Sequence, residues 1–420
     1  MKIHIARKVK INIYTVFLFL SIIVVIFYFV PFASNLLTAA LMFTILCVLY
    51  LILLLFSNWK LKQVLLCNLL CGLSAILIFI IRGYAEERVV GVYSLLLIFF
   101  PMFTVIFLIQ KKEIIKLKVL SYISIIGLTI TGITTYLGVL LYPEVARTLA
   151  AASESDSLAI SISMLMNIGG FDIVYSVVLA IPLYYVIIEQ IGCGNLIKKI
   201  VKILLLFLVG MFAVKTQYTT ALLLVFLNGF LLLLFKRINI KNIVILTLFI
   251  TLLFEIFNEN IVNGLNNMAD IIDSQSVSMR LEELADTLQG GAVTGEDITE
   301  RSRTYTRSLE NFIENPLIGN WYTKGESSIG GHSTILDLLA STGILGFFIV
   351  MYAVYKTEKL ILKYVENDKN KKYIGVFLIN YFVLAILNPI ISGIFFAMLF
   401  IVSAGLVVDN TPKIRGGNQL

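Results

Sequence analysis

Charge is scarce in this sequence. Only 14% of its 420 residues are Asp, Glu, Lys or Arg, and 59% are hydrophobic, whereas a soluble globular chain is about 25% charged. With a mean hydropathy of +0.94, the composition excludes a water-soluble globular protein. Proline is also scarce, seven in the chain, while aromatics reach 12%; this excludes a disordered or fibrous chain, which lacks apolar side chains to bury. Cysteine occurs four times. Cys47, Cys67 and Cys71 fall in apolar runs and Cys193 sits beside a basic loop, so no disulfide framework is placed in an exposed segment. Cys67 and Cys71 share a helix face, but no further Cys or His lies nearby to complete a metal site. No metal or cofactor is expected.

What the chain has in abundance is long apolar runs. A hydrocarbon core needs roughly 20 apolar residues per crossing, in a helix that satisfies its own backbone. The sequence predicts an all-α polytopic membrane protein of about twelve spans. The first six are Ile11 to Val30, Asn35 to Phe56, Val64 to Ile81, Val89 to Ile109, Val119 to Leu141 and Phe171 to Ile188. The others are Ile200 to Val214, Tyr218 to Phe235, Ile243 to Phe257, Ile335 to Tyr355, Tyr373 to Leu387 and Ile390 to Val408, with the last turn at Asn388-Pro389. The N-terminal run is too long for a typical signal peptide and reads as an uncleaved span.

The net charge of +7 on a soluble domain would invite a nucleic-acid reading; in a membrane protein it is the sidedness of each charge that matters. Twelve spans put both termini on one side. The N-terminus, the loops holding Lys60, Lys111, Lys198, Lys236 and Lys356, and the tail then carry 24 of the 33 basic residues. Six of the 26 acidic residues lie with them. The near side is about +18 and the far side about −11, so the positive-inside rule makes the termini cytoplasmic. No nucleic-acid partner is implied.

The organisation follows: residues 1–257 hold nine spans with a smaller external loop at about 142–170, residues 258–332 form a large external loop, residues 333–408 hold three spans, and 409–420 form a cytoplasmic tail. In the large loop, Ser278 to Leu288 has helical spacing and ends at Gly290-Gly291. A second helix is expected with Thr299 as its cap and Tyr305, Leu309 and Phe312 as its apolar stripe, stopping before Asn315-Pro316. Ionisable residues are sparse within the spans. Arg82, Lys215, Asp172, Glu255 and Asp337 all fall near predicted outer ends, which favours an outward-facing site over a transport path.

From Arg301 to Gly346 the chain reads RSRTYTRSLENFIENPLIGNWYTKGESSIGGHSTILDLLASTGILG. Arg301 precedes Tyr305 by one turn. Leu309 and Phe312 follow, then Asn315-Pro316-Leu317 with Gly319, and after a polar stretch His332-Ser333, Leu336, Gly343 and Gly346 at the start of an apolar helix. This order resembles the O-antigen ligase and polymerase family, often called Wzy-type. Ser278-Met279-Arg280-Leu281 resembles the loop arginine region of its capsule polymerases. The motif-bearing part covers about 70 residues; the rest agrees mainly in topology. Members often carry a Ser-Arg pair near the outer end of a span two helices before the loop, where this chain has Tyr218 and Thr219. Lys215, four residues before Thr219, is on the same helix face if that helix extends so far, and could replace the charge as a point donor.

The resemblance implies a membrane glycosyltransferase of the GT-C-like class that is metal-independent. Its expected substrate is an undecaprenyl-diphosphate-linked oligosaccharide, and its expected partners are the bilayer, a flippase and a chain-length regulator. Arginine forks bind phosphate oxygens without a metal, and the chain has no Asp-x-Asp triplet for a divalent ion. Imidazole exchanges protons readily near neutrality, so His332 is the candidate base and Arg301 its catalytic companion. Arg280, Arg303 and Arg307 are candidates for the diphosphate or glycan; Arg303 and Arg307 would otherwise pair with Glu300, Glu310 or Glu314. Arg82, Arg147 and Lys215 are either further contacts or interfacial anchors. Tyr305, Trp321 and Tyr322 stack on sugar rings or sit at the interface. His332 alternatively caps a helix, and Asp337 either orients or pairs with a basic group. A ligase that moves a finished glycan to a lipid or protein acceptor uses the same donor chemistry. A flippase or exporter would need charges through the membrane.

Overall fold

The computed structural model describes residues 12–57, 88–143, 157–234, 296–320 and 329–408, with scattered positions in 145–149 and 262–285. All regular structure among the described residues is helical. Ala39–Phe56, Ile114–Leu141, Thr334–Lys363 and Asp368–Leu387 are long and apolar enough to cross a membrane, and a bent pair, Ile160–Met166 with Phe171–Leu179, makes a fifth if it is one span. The predicted spans Val64 to Ile81 and Ile243 to Phe257 lie outside the described residues, as do the first eleven residues and the tail. The other ten coincide with helices or helix pairs.

The outward faces of the helices are strongly apolar, while the largely apolar interior also takes in small polar side chains. Along Ile114–Leu141, Ile115, Val119, Tyr122, Ile126, Ile133 and Leu137 stand exposed at helical spacing, while Ser121, Ser124, Thr131 and Thr135 are buried. An apolar stripe of that length is untenable in water and ordinary against lipid. The protein is membrane-embedded.

The chain forms two compact units. One comprises Met1–Lys202, Lys356–Asn370 and Ile391–Leu420; the other comprises Ile203–Tyr355 and Lys371–Ile390. In the first, Asn12 caps Ile13–Phe29 by accepting from the Tyr14 amide. Phe17 packs its ring against Phe107 at 5.0 Å. Pro101 lies inside the helix Arg88–Gln110, and having no N–H it leaves the carbonyl four residues earlier without its usual donor. The Tyr28 hydroxyl supplies one, donating to the Leu97 carbonyl at 2.6 Å. Tyr50 donates likewise to the Leu96 carbonyl.

The expected single span Phe171 to Ile188 is two helices, Phe171–Leu179 and Ile181–Gln190, joined at Ala180 before Pro182. Ser157–Met166, within the predicted smaller external loop, meets Phe171–Leu179 at a 44° bend. Asn167 stands at that bend with φ +53°. Its amide donates to Thr131 and Thr134, and its Oδ1 accepts the Phe32 N–H. The Gly169 N–H donates to Thr135. Threonines on one face of Ile114–Leu141 thus satisfy the backbone and side chain of the break.

At Glu189, Lys202 and Lys369 both donate to the carboxylate, the latter at 3.2 Å, and Lys198 donates to the Glu189 carbonyl at 2.8 Å. Burial by itself would push this carboxyl up, but the hydrogen bonds and charges of Lys202 and Lys369 outweigh it and hold it at about 2.

In the second unit, Thr219–Leu234 and Asp368–Leu387 meet through a buried amide pair, Asn380 donating to Asn228 Oδ1 at 3.1 Å. Lys372 donates to the Leu232 carbonyl at 2.7 Å. Where a turn is expected at Asn388-Pro389 the helix stops, ending at Leu387, and the next begins at Gly393. The span expected to run unbroken from Ile335 to Tyr355 is interrupted. Within Thr334–Lys363, Gly343 has φ +63° and ψ −173°, which is not helical.

The segment 316–320 fills that interruption. The Ile344 N–H donates to the Pro316 carbonyl at 2.9 Å and the Leu345 N–H to the Leu317 carbonyl at 3.2 Å. In return the Asn320 N–H donates to the Ala340 carbonyl at 2.7 Å. Backbone groups released by the break are satisfied by protein, as they must be at membrane depth.

Candidate functional site

The loop helix and the head of the broken helix build the site. The loop helix runs Glu296–Glu314 and starts before Thr299, which therefore does not cap it. Its buried face also differs from the expected Tyr305, Leu309 and Phe312. Among its described side chains Thr304, Ser308 and Asn311, at positions i, i+4 and i+7, are the buried ones, and Leu309 is 44% exposed. The face is polar because it meets polar groups of other segments: the Gly330 N–H donates to Ser308 Oγ at 3.0 Å, and the Asn320 side-chain amide donates to Asn311 Oδ1 at 2.9 Å.

His332 lies in the turn between Gly331 and Ser333 and is half-buried. The turn leads directly into Thr334–Lys363. Ser333 accepts the Leu336 N–H at 3.3 Å, a side-chain cap of that helix. Asp337 reaches back to the Ser333 N–H at 3.0 Å and the Gly331 N–H at 3.2 Å, and accepts the Ser308 hydroxyl at 2.6 Å. Among the described residues the partners of Asp337 are thus neutral donors and not a basic group. The cap is Ser333 and not His332, whose imidazole makes no hydrogen bond or ion pair among the described residues.

The segment that follows Leu387 closes the other side. Thr334 donates to the Asn388 carbonyl at 3.0 Å and accepts the Ile390 N–H at 2.6 Å. Tyr305 donates to the Leu387 carbonyl at 2.9 Å. Tyr305 and His332, 27 positions apart, therefore belong to one hydrogen-bonded assembly.

The arginines divide. Arg303 is exposed and Arg307 half-buried on the loop helix. Arg301 lies in the same helix one turn before Tyr305, with its side chain outside the described residues. Arg82, Arg147 and Arg280 lie outside them too, as do Trp321 and Tyr322. Lys215 is exposed and ends the helix Asn195–Lys215; Gln217 then turns with φ +60° before Thr219–Leu234 begins. Lys215 and Thr219 accordingly do not share one helix face.

Sequence reasoning missed Ser308, Asn311, Thr334 and Asn388. The signal for the first two was present: an i, i+4, i+7 row of small polar residues beside an apolar stripe marks a face turned to polar groups of the protein. Asn228 and Asn380 were missed as well, being two amides within apolar spans. Chemically, the assembly offers a half-buried imidazole held by its backbone neighbours on a polar shelf, with arginines along the adjoining helix. Comparison of the chain with protein-family models and with curated proteins gives no match.

Proposed function

We propose that this chain is a polysaccharide polymerase joining undecaprenyl-diphosphate-linked oligosaccharide repeat units at the outer face of the cytoplasmic membrane. Twelve spans with both termini cytoplasmic put the large loop outside. Lysines from two predicted inner loops, Lys198 and Lys202 with Lys369, meet at Glu189, which supports that sidedness. The fold class proposed is that of GT-C-like glycosyltransferases, and a flippase and a chain-length regulator are the proposed protein partners.

One observation carries the reading: the arginine-bearing loop helix and the glycine-flanked His332 join in a single polar assembly at the head of an apolar helix. In the proposed reaction a sugar hydroxyl of one lipid-linked unit attacks the anomeric carbon of another chain. The bond from that carbon to the diphosphate oxygen breaks, and undecaprenyl diphosphate leaves with the electron pair. His332 takes the hydroxyl proton. Arg301, with Arg280, Arg303 and Arg307, neutralises the departing diphosphate. Arg82, Arg147 and Lys215 are assigned to the outer approach of the lipid carrier.

The test is the product made by a deletion strain carrying His332→Ala or Arg301→Ala at normal expression. Single repeat units on the lipid carrier are expected. Long chains accumulating on the carrier would instead identify a ligase, and unpolymerised units trapped on the cytoplasmic side a flippase. Full-length polymer from both variants would sink the proposal.

A further inference from the structure

The dipeptide Gly330-Gly331 gives the chain before His332 more backbone freedom than any other pair would, and Gly331 uses it, with φ +78°. A turn of that kind holds a histidine in one place only if something outside it fixes the backbone. Here a single carboxylate does so on both sides of His332. Asp337 Oδ1 accepts the Gly331 N–H and Oδ2 accepts the Ser333 N–H. Ser308 completes the arrangement from another element, donating to Asp337 Oδ1 and accepting the Gly330 N–H. Gly330 lies against the Thr304 carbonyl, where a Cβ would collide. The amides of residues 330, 331 and 333 are all held, while the His332 imidazole makes no hydrogen bond or ion pair among the described residues.

Helix capping accounts for part of this, namely Ser333 with Leu336 and Asp337 with Ser333. It does not account for Ser308, 29 positions before Asp337, whose hydroxyl is used in both directions. Nor does it account for the bond to Gly331, outside the helix. We propose that Asp337 and Ser308 are positioning residues that fix the orientation of the His332 imidazole for the reaction above. The inference rests on the polymerase reading and deepens it: the loop helix and the head of the broken helix act on the histidine jointly, so displacing either displaces the base.

The chain has only two histidines, His4 and His332, so in a His4→Gln background the ring signals of isotopically labelled histidine report His332 alone. The experiment compares the full chain, in nanodiscs and in the deletion strain, with Ser308→Ala, Asp337→Asn and Ser308→Thr. Ser308→Ala and Asp337→Asn are expected to split or broaden the His332 ring signal and to cut polymer formation by about 100-fold, the loss that follows from a misplacement of roughly 1 Å. Ser308→Thr, which keeps the hydroxyl, is expected to restore a single ring signal and the polymer. Unchanged ring signals in both disabling variants would overturn the clamp, and so would a loss of polymer that Ser308→Thr fails to restore while its ring signal is single. Altered ring signals together with full-length polymer from His332→Ala would overturn the role of His332 in polymerisation.

Discussion

Gly319 and Gly343 lie backbone against backbone. A Cβ on Gly343 would collide with the Leu317 carbonyl, and one on Gly319 with Ser341 and the Gly343 nitrogen. Both residues have left-handed φ, +70° and +63°. These glycines belong to the motif that suggested the family, and the structure assigns them to joining the end of the large loop to the break in a membrane helix.

Alanine at either position should therefore be costly. Strain from a left-handed φ alone is of order 1–3 kcal/mol, and overlap with a carbonyl adds to it. Gly319→Ala and Gly343→Ala are each expected to lower the melting temperature in detergent. The double variant should cost less than the two single losses together, because both disrupt one contact. Gly192→Ala, with nothing within 4 Å of the added Cβ, should have no effect. Equal melting temperatures across the set would show that the join carries no stability.

The helices were legible because apolar runs of membrane length leave little choice of structure. The break at Gly343 was not, since the pattern on either side of it is continuous and a glycine within a span is common. The partner that makes the break stable, 316–320, lies some 25 positions away, and only tertiary structure brings it there. The same holds for His332. Its place at the head of a helix could be read from the sequence, but that Asp337 and Ser308 hold its neighbours could not, because Ser308 lies on a helix whose apolar stripe drew attention to the wrong face. Threonines 131, 134 and 135 were invisible for a different reason: in an apolar helix a threonine hydroxyl ordinarily bonds its own backbone, and nothing in the sequence signals a bend waiting for it.

Glu189 sets an acid limit on stability. Its carboxyl is held at about 2, below the ordinary 4.5, so the folded state prefers the ionised form. The contribution is complete above pH 4.5 and is lost as the pH falls from there towards 2. Glu189→Gln should lower the melting temperature at pH 7, and the gap between variant and parent should narrow steadily below pH 4.5. A gap that stays constant down to pH 3 would show that the lysines around it do not stabilise the charge.

Asn228 and Asn380 test whether buried polarity in the spans serves structure or chemistry. Interhelical hydrogen bonds within membranes average about 0.6 kcal/mol, and Asn380 Oδ1 has no partner among the described residues. Removing one amide leaves its partner's polar atoms buried, whereas replacing both removes the demand. Asn228→Leu alone is expected to destabilise more than the Asn228→Leu, Asn380→Leu pair, and the pair should still make full-length polymer. Loss of polymer in a stable double variant would move these amides into the reaction path.

Tyr305 separates two readings of one side chain. Its hydroxyl donates to the Leu387 carbonyl, a group at a helix end with no partner in the helix itself; its ring is half-buried and a candidate platform for a sugar. Tyr305→Phe removes one hydrogen bond, worth about 1 kcal/mol, and keeps the ring. Tyr305→Leu removes both. If the ring stacks on substrate, Tyr305→Phe lowers the melting temperature but makes polymer of normal length, and Tyr305→Leu makes short chains at a similar melting temperature. If Tyr305→Leu also makes chains of normal length, the ring is no platform, and the tie to the Leu387 carbonyl is what this tyrosine contributes.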